Sequence, residues 1–176
     1  MGHVTDDTPF APLHVAVLTV SDRRTRANDG SGDTLQERLE AAGHVLADRD
    51  LLPDDVYRLR AVVSAWIVRR DVEVVLLTGG TGITGRDRTP EAIRPLLDLE
   101  IPGFGELFRA YSEAEIGAAT LQSRAFAGLA NGTLVFGLPG SPGACRTAWD
   151  RILGPQLDAR TTPCNFVALL PRFLES

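Results

Sequence analysis

Residues 78–91 (TGGTGITGRDRTPE) constrain this chain more than any other stretch. They follow an apolar run from Val72 to Leu77, broken only by Glu73, which predicts a strand buried on both faces. Four glycines then fall within seven residues, Gly79, Gly80, Gly82 and Gly85. Glycine costs backbone entropy, so this density implies positive φ angles or close approach of the backbone to something else. A loop of bare N–H groups after a strand is suited to cradling phosphate or another anion. Thr89-Pro90-Glu91 predicts a helix start, with Thr89 as N-cap and Pro90 at the first helical position. Asp87 within this loop would by itself repel phosphate, which points to a bridging cation or a basic role.

A ligand-free turn needs one or two glycines, not this many. Gly80 to Gly85 match G-x-G-x-x-G, with Glu100 at the distance of a ribose-binding acid. In a dinucleotide fold, however, the helix begins near the first glycines and the acid ends the next strand. Here Arg86, Asp87, Arg88 and Pro90 intervene, and Glu100 lies in a Pro/Gly-rich turn. A Walker loop is excluded because no Lys follows the glycines.

The chain of 176 residues is long enough for one domain with a full core, and residues 1–12, rich in Asp and Pro, read as a loose tail before a single domain over 13–176. The apolar fraction of 44% and charged fraction of 23% are those of a soluble globular protein. A formal charge of −5 argues against a general nucleic-acid binder. Arg23, Arg24, Arg26, Arg86 and Arg88 nevertheless gather beside candidate loops, which suits a small anionic ligand. Cys145 and Cys164 show no C-x-x-C spacing and are expected reduced. His3, His14 and His44 show no ligand spacing, so neither a zinc site nor a Ser-His-Asp triad is expected. With neither a signal peptide nor a membrane span in evidence, a cytoplasmic protein without membrane partners is expected.

Residues 14–20 (HVAVLTV) predict the first strand, followed by Ser21, Asp22 and a polar loop through Asp33. A helix is expected over 34–42 and a second strand over 45–51. Pro53-Asp54-Asp55 opens the clearest helix, with Val56, Leu59, Val63, Trp66 and Ile67 on one stripe. Asp54 either caps this helix or, ending a strand-to-helix turn, reaches the same crevice as Asp87. Short helices are expected over 90–97 and 107–111, another opening with a capping box at residues 112–115, and a further helical segment over 121–129. Asn131-Gly132 marks a turn before a buried strand over 133–138, a loop over 139–143 and a helix over 144–153. The tail includes an extended piece over 165–170. The alternation predicts a three-layer α/β/α domain with a mostly parallel central sheet. In such sheets ligands sit beyond the carboxyl ends of the strands. Ser21-Asp22, Asp54, the loop over 79–87 and the loop over 139–143 would converge there. Backbone amides of Gly79 to Gly82, Gly140 and Ser141 could then hold anionic oxygens, Arg23 or Arg86 would neutralise charge, and Asp54 and Asp87 would hold Mg²⁺. The expected chemistry is phosphoryl or nucleotidyl transfer.

Residues 78–82, Arg86-Asp87, 89–92, 102–106 (PGFGE), 123–125 (SRA) and 138–141 (LPGS) together resemble the molybdopterin-binding family of molybdenum cofactor biosynthesis. The resemblance spans residues 13–166, and segments 63–67, 120–125, 144–149, 155–160 and 163–166 are similar to its protein B branch. It implies a homotrimer or homohexamer that binds molybdopterin. It implies further an adenylyltransferase that uses Mg-ATP to attach AMP to the molybdopterin phosphate, releasing pyrophosphate. Asp87 and Asp54 match two aspartates that matter in that reaction. Thr78, Gly79, Gly80, Thr81, Gly82, Ser112, Pro139, Gly140 and Ser141 would hold the molybdopterin side, and Ser21 and Asp22 the nucleotide side. A helix cap explains Ser112 equally well. The alternative expectation is a non-catalytic oligomeric carrier of molybdopterin.

Overall fold

The computed structural model describes residues 3–4 and 8–175. Six strands form one sheet: β2 (His14–Val20), β3 (Val45–Leu52), β4 (Val74–Thr78), β5 (Leu99–Glu100), β6 (Phe126–Ala130) and β7 (Thr133–Leu138), in the order β3-β2-β4-β7-β6-β5. β3, β2, β4 and β7 are mutually parallel, whereas β6 and β5 add an antiparallel edge. Two-residue strands β1 (His3–Val4) and β8 (Thr161–Thr162) pair separately, antiparallel. The tail expected over 1–12 falls partly outside the described residues; within it, beyond the β1–β8 pair, the Phe10 ring packs 5.2 Å from that of His44.

Side chains alternate across the parallel strands, and each face buries its own core. Val15, Val17, Val74, Leu76, Leu134 and Phe136 point to one side, where α1 (Gly30–Ala41), α4 (Pro102–Ile116) and α5 (Pro142–Ala148) cover them. Ala16, Leu18, Val75, Leu77 and Val135 point to the other, under α2 (Val56–Ile67) and α3 (Thr89–Ile93). On α2, Leu59, Val63 and Trp66 are buried, and the indole N–H of Trp66 donates to Asp48 Oδ2 at 3.1 Å. Each such apolar side chain contributes about 1.5–3 kcal/mol on burial, so both helical layers stabilise the sheet that carries the loops. The expected three-layer architecture is present.

Several local expectations are corrected. α1 begins at Gly30, not residue 34, because Asp29 caps it by accepting from the Gly32 amide at 3.1 Å. Asp55, not Asp54, caps α2, accepting from Tyr57 and Arg58 amides. Thr89 is the first residue of α3 instead of its cap, and its hydroxyl donates to Gly79 O at 2.9 Å. α4 runs unbroken from Pro102, so residues 112–115 open no helix. The segment expected to be helical over 121–129 is a 3₁₀ turn to Gln122 and then strand β6. Alanines in β6 suggest helix, yet Asn131 and Gly132 have φ of 50° and 79° and form a two-residue turn that folds β6 back on β7. α5 passes into a π-helical segment, Trp149–Leu153, and the piece expected extended over 165–170 lies largely in a 3₁₀ segment, Val167–Arg172.

Candidate functional site

The C-terminal ends of the four parallel strands carry the loops singled out in the sequence. The β4–α3 loop leaves the sheet on two positive-φ glycines, Gly79 at 109° and Gly80 at 64°. A Cβ on Gly79 would stand 2.2 Å from Val20 O, and one on Gly80 would stand 2.3 Å from Thr89 Oγ1 and 3.0 Å from Asp54 Oδ2. These glycines therefore let the loop lie against β2, α3 and Asp54, a packing need additional to any anion contact. The Gly79 amide donates to Leu138 O at 2.9 Å and Thr78 Oγ1 donates to Pro139 O at 2.9 Å, which ties this loop to the one after β7.

Two aspartates at these strand ends differ in environment. Partial burial opposes ionisation of Asp87, but hydrogen bonds from the Thr84 hydroxyl at 2.6 Å and amide at 2.8 Å outweigh it, and its carboxyl lies below the usual range. Burial, with the charges of Asp22 and Asp87 adding to it, pushes the Asp54 carboxyl above the usual range against the single amide bond from Arg88 at 2.9 Å. Oδ1 of Asp54 is buried and has no hydrogen-bond partner. Asp22 accepts from the Asp54 amide at 3.0 Å, and its other oxygen lies 3.4 Å from Arg86. An orphaned carboxylate oxygen within the field of two further carboxylates fits a cation. Among the described residues no three His, Cys, Asp or Glu side chains group closely enough to hold a metal by themselves. Mg²⁺ characteristically takes one or two carboxylates and completes its shell with water and substrate phosphates, so this sparse acidic set suits it.

The molybdopterin-side candidates divide. Thr81, Gly82, Ser112, Pro139 and Ser141 line one pocket of about 290 Å³, walled by Phe108, Ile116, Ala119 and Ala144. Thr78, Gly79, Gly80 and Gly140 lie outside its walls. The Ser112 hydroxyl is turned onto its own helix, donating to Phe108 O at 2.8 Å, and Ser141 caps α5 by accepting from the Ala144 amide. Ser21 accepts from the amides of Arg23 and Arg24, so it shapes the turn carrying Asp22. A larger cavity of about 560 Å³ opens elsewhere, among Arg94, Glu100, Arg109 and Phe126. It contains no glycine of the loop and neither aspartate, so size alone does not mark the site.

Arg124 is a site residue that spacing did not reveal. Its backbone amide donates to Thr81 O at 2.9 Å and its Nε to Gly82 O at 2.6 Å. Its guanidinium also bonds Asp87 O and pairs with Glu91. The side chain thus grips the glycine loop from both ends. Some forty residues separate it from that loop, so only the SRA motif at 123–125 drew attention to it.

The arrangement defines a doubly wound α/β protein with a glycine-lined, acid-edged crevice beyond its parallel strands. The chain belongs to the family described as "Probable molybdopterin binding domain", whose model matches residues 16–159. It is 56% identical over 159 residues to molybdenum cofactor biosynthesis protein B of Escherichia coli (strain K12), covering 90% of this chain and 94% of the relative. A crystal structure of a molybdenum cofactor biosynthesis protein B superposes with a TM-score of 0.81 at 44% identity, covering 84% of this chain and 92% of that one. The tungsten cofactor synthesizing protein MoaB from Pyrococcus furiosus superposes with a TM-score of 0.74 at 38% identity, covering 81% and 91%.

Proposed function

We propose that this protein serves molybdenum cofactor biosynthesis by binding molybdopterin and transferring AMP from Mg-ATP to its phosphate. The observation that carries the catalytic reading is Asp54, a half-buried carboxylate with an unpartnered oxygen, electrostatically coupled to Asp22 and Asp87 beside a glycine-rich anion loop. A site that only held a phosphate would place cations there, since clustered carboxylates repel it. A phosphate oxygen of molybdopterin attacks Pα of ATP; the new P–O bond forms as the bridge to Pβ breaks, its electron pair leaving on pyrophosphate. No protein nucleophile is required, and positioning with charge neutralisation supplies the acceleration. When bound, Mg²⁺ supplies charge neutralisation on the phosphates. Asp87, kept ionised by Thr84, and Asp54 would hold it. With the Gly79 amide committed to Leu138 O, amides of the 80–82 and 140–141 segments orient the molybdopterin phosphate, Ser21 and Asp22 shape the nucleotide side, and Arg86 and Arg88 border the mouth. A homotrimer or homohexamer in the cytoplasm is the setting proposed for this reaction.

A carrier that binds molybdopterin without chemistry is the second reading, favoured by the pocket between α4 and α5, which excludes both aspartates from its walls. Incubation with α-labelled ATP, Mg²⁺ and purified molybdopterin separates the two. Labelled adenylyl-molybdopterin from wild type, and none from Asp87→Asn, is the expected result. Molybdopterin binding without labelled product establishes the carrier.

A further inference from the structure

The pocket between α4 and α5 has an uneven chemistry that adenylyl transfer leaves unexplained. Glu115 is the single charged side chain among its lining residues; the others are apolar or neutral polar, such as Thr120, Gln122 and Ser123. Glu115 stands in the last turn of α4, and its Oε1 accepts from the Thr147 hydroxyl at 2.8 Å. Oε2 has no partner among the described residues. Thr147 lies five residues beyond Pro142, where α5 starts beyond the C-terminal end of β7, roughly 7 Å along the helix at 1.5 Å per residue. The anchored carboxylate and residues Thr81 and Gly82 of the glycine loop line the same pocket.

A carboxylate accepts hydrogen bonds and donates none, and it binds two parallel N–H groups on a planar edge with particular strength. It also repels phosphate. Within this pocket, whose lining excludes the Arg146 and Arg151 of the neighbouring cleft, an elongated ligand bearing phosphate at one end and adjacent N–H donors at the other is thus favoured in one orientation. We propose that Glu115 reads the 2-amino and N3–H edge of the pterin, sending the phosphate to residues 80–82. This rests on the molybdopterin reading above and adds the residue that sets ring recognition and direction. Guanine presents the same donor edge, so the two sources of that chemistry need separate probes.

Binding of 6-hydroxymethylpterin, its 2-oxo counterpart 6-hydroxymethyllumazine, and GMP to the full chain, followed by ligand fluorescence or NMR, tests the inference. Wild type is expected to favour the pterin over the lumazine roughly tenfold or more, the loss anticipated when a site built for a charged hydrogen bond meets a ligand lacking the donor. Glu115→Gln is expected to reduce that preference to within about twofold, and Thr147→Val, which frees the carboxylate, to give an intermediate value. Circular dichroism and melting confirm that both variants are folded. An unchanged pterin preference in Glu115→Gln overturns the inference, as does wild-type binding of neither heterocycle. Tighter binding of GMP than of the pterin overturns the pterin assignment. If molybdopterin itself still binds in any of these cases, the proposed function stands without Glu115; loss of molybdopterin binding by wild type removes the function as well.

Discussion

Asp54 and Asp87 follow β3 and β4, on either side of β2, yet their surroundings push their carboxyl groups in opposite directions. Asp87 is satisfied by Thr84, so its charge is stable without a ligand. Asp54 is not satisfied, and ionising it costs folding free energy. The sign follows from linkage: with a folded-state value above the unfolded one, stability is greatest at low pH and falls as pH rises through the ordinary Asp range to the raised folded value. Asp54→Asn, which retains an acceptor for the Arg88 amide, should therefore melt higher than wild type near neutral pH, with the gap closing in acid. It should also lose Mg²⁺-dependent activity. A variant that melts lower at neutral pH would show Asp54 to be a structural acid. From sequence, Asp54 stood between helix cap and crevice ligand; only the location of the cap on Asp55 separates them.

The β4–α3 loop depends on an element remote from it in the chain. Arg124, just before β6, bonds Thr81 O, Gly82 O and Asp87 O and pairs with Glu91. Lysine offers a point charge instead of a planar fork. Arg124→Lys should lower kcat/KM, and Arg124→Ala should lower it further, about tenfold or more, on the scale of losing charged hydrogen bonds worth ~1.5–3 kcal/mol. Hydrogen exchange at amides 79–87 should accelerate in step while the β4 core keeps its protection. Unchanged exchange in that loop would remove the clamp. The strands β2, β4 and β7 were readable from their β-branched apolar runs, and the Gly/Pro loops from composition. β6 was not, because its alanines and glycine favour no strand locally and its structure comes from pairing with β7 across the Asn131-Gly132 turn. Ser112 was misplaced for a related reason: S-x-x-E reads as a capping box, yet Phe104, Phe108 and Ser112 form one buried stripe of a continuous helix.

The molecule as a whole buries two cores around one sheet and places its acidic crevice and apolar pocket at the same sheet end. Among the described residues no helix is long and apolar enough to cross a membrane. In this chain of 19.0 kDa, Leu99 on the antiparallel edge strand β5 is 58% exposed and Leu121, in the 3₁₀ turn before β6, is 85% exposed. Light scattering should give three or six times the chain mass; a monomer would contradict the homo-oligomer proposed with the function. The architecture was legible from strand-helix alternation, and the family from motifs spread along the chain. The division of the site into an acid-edged crevice and a separate apolar pocket was not, because it depends on how α4 and α5 pack. Pyrophosphate release from ATP and Mg²⁺ on addition of purified molybdopterin, for wild type and Asp87→Asn side by side, tests the central claim most directly. Release by wild type and none by the variant is expected. No release by wild type, with molybdopterin still bound, would contradict adenylyl transfer and leave a binding protein.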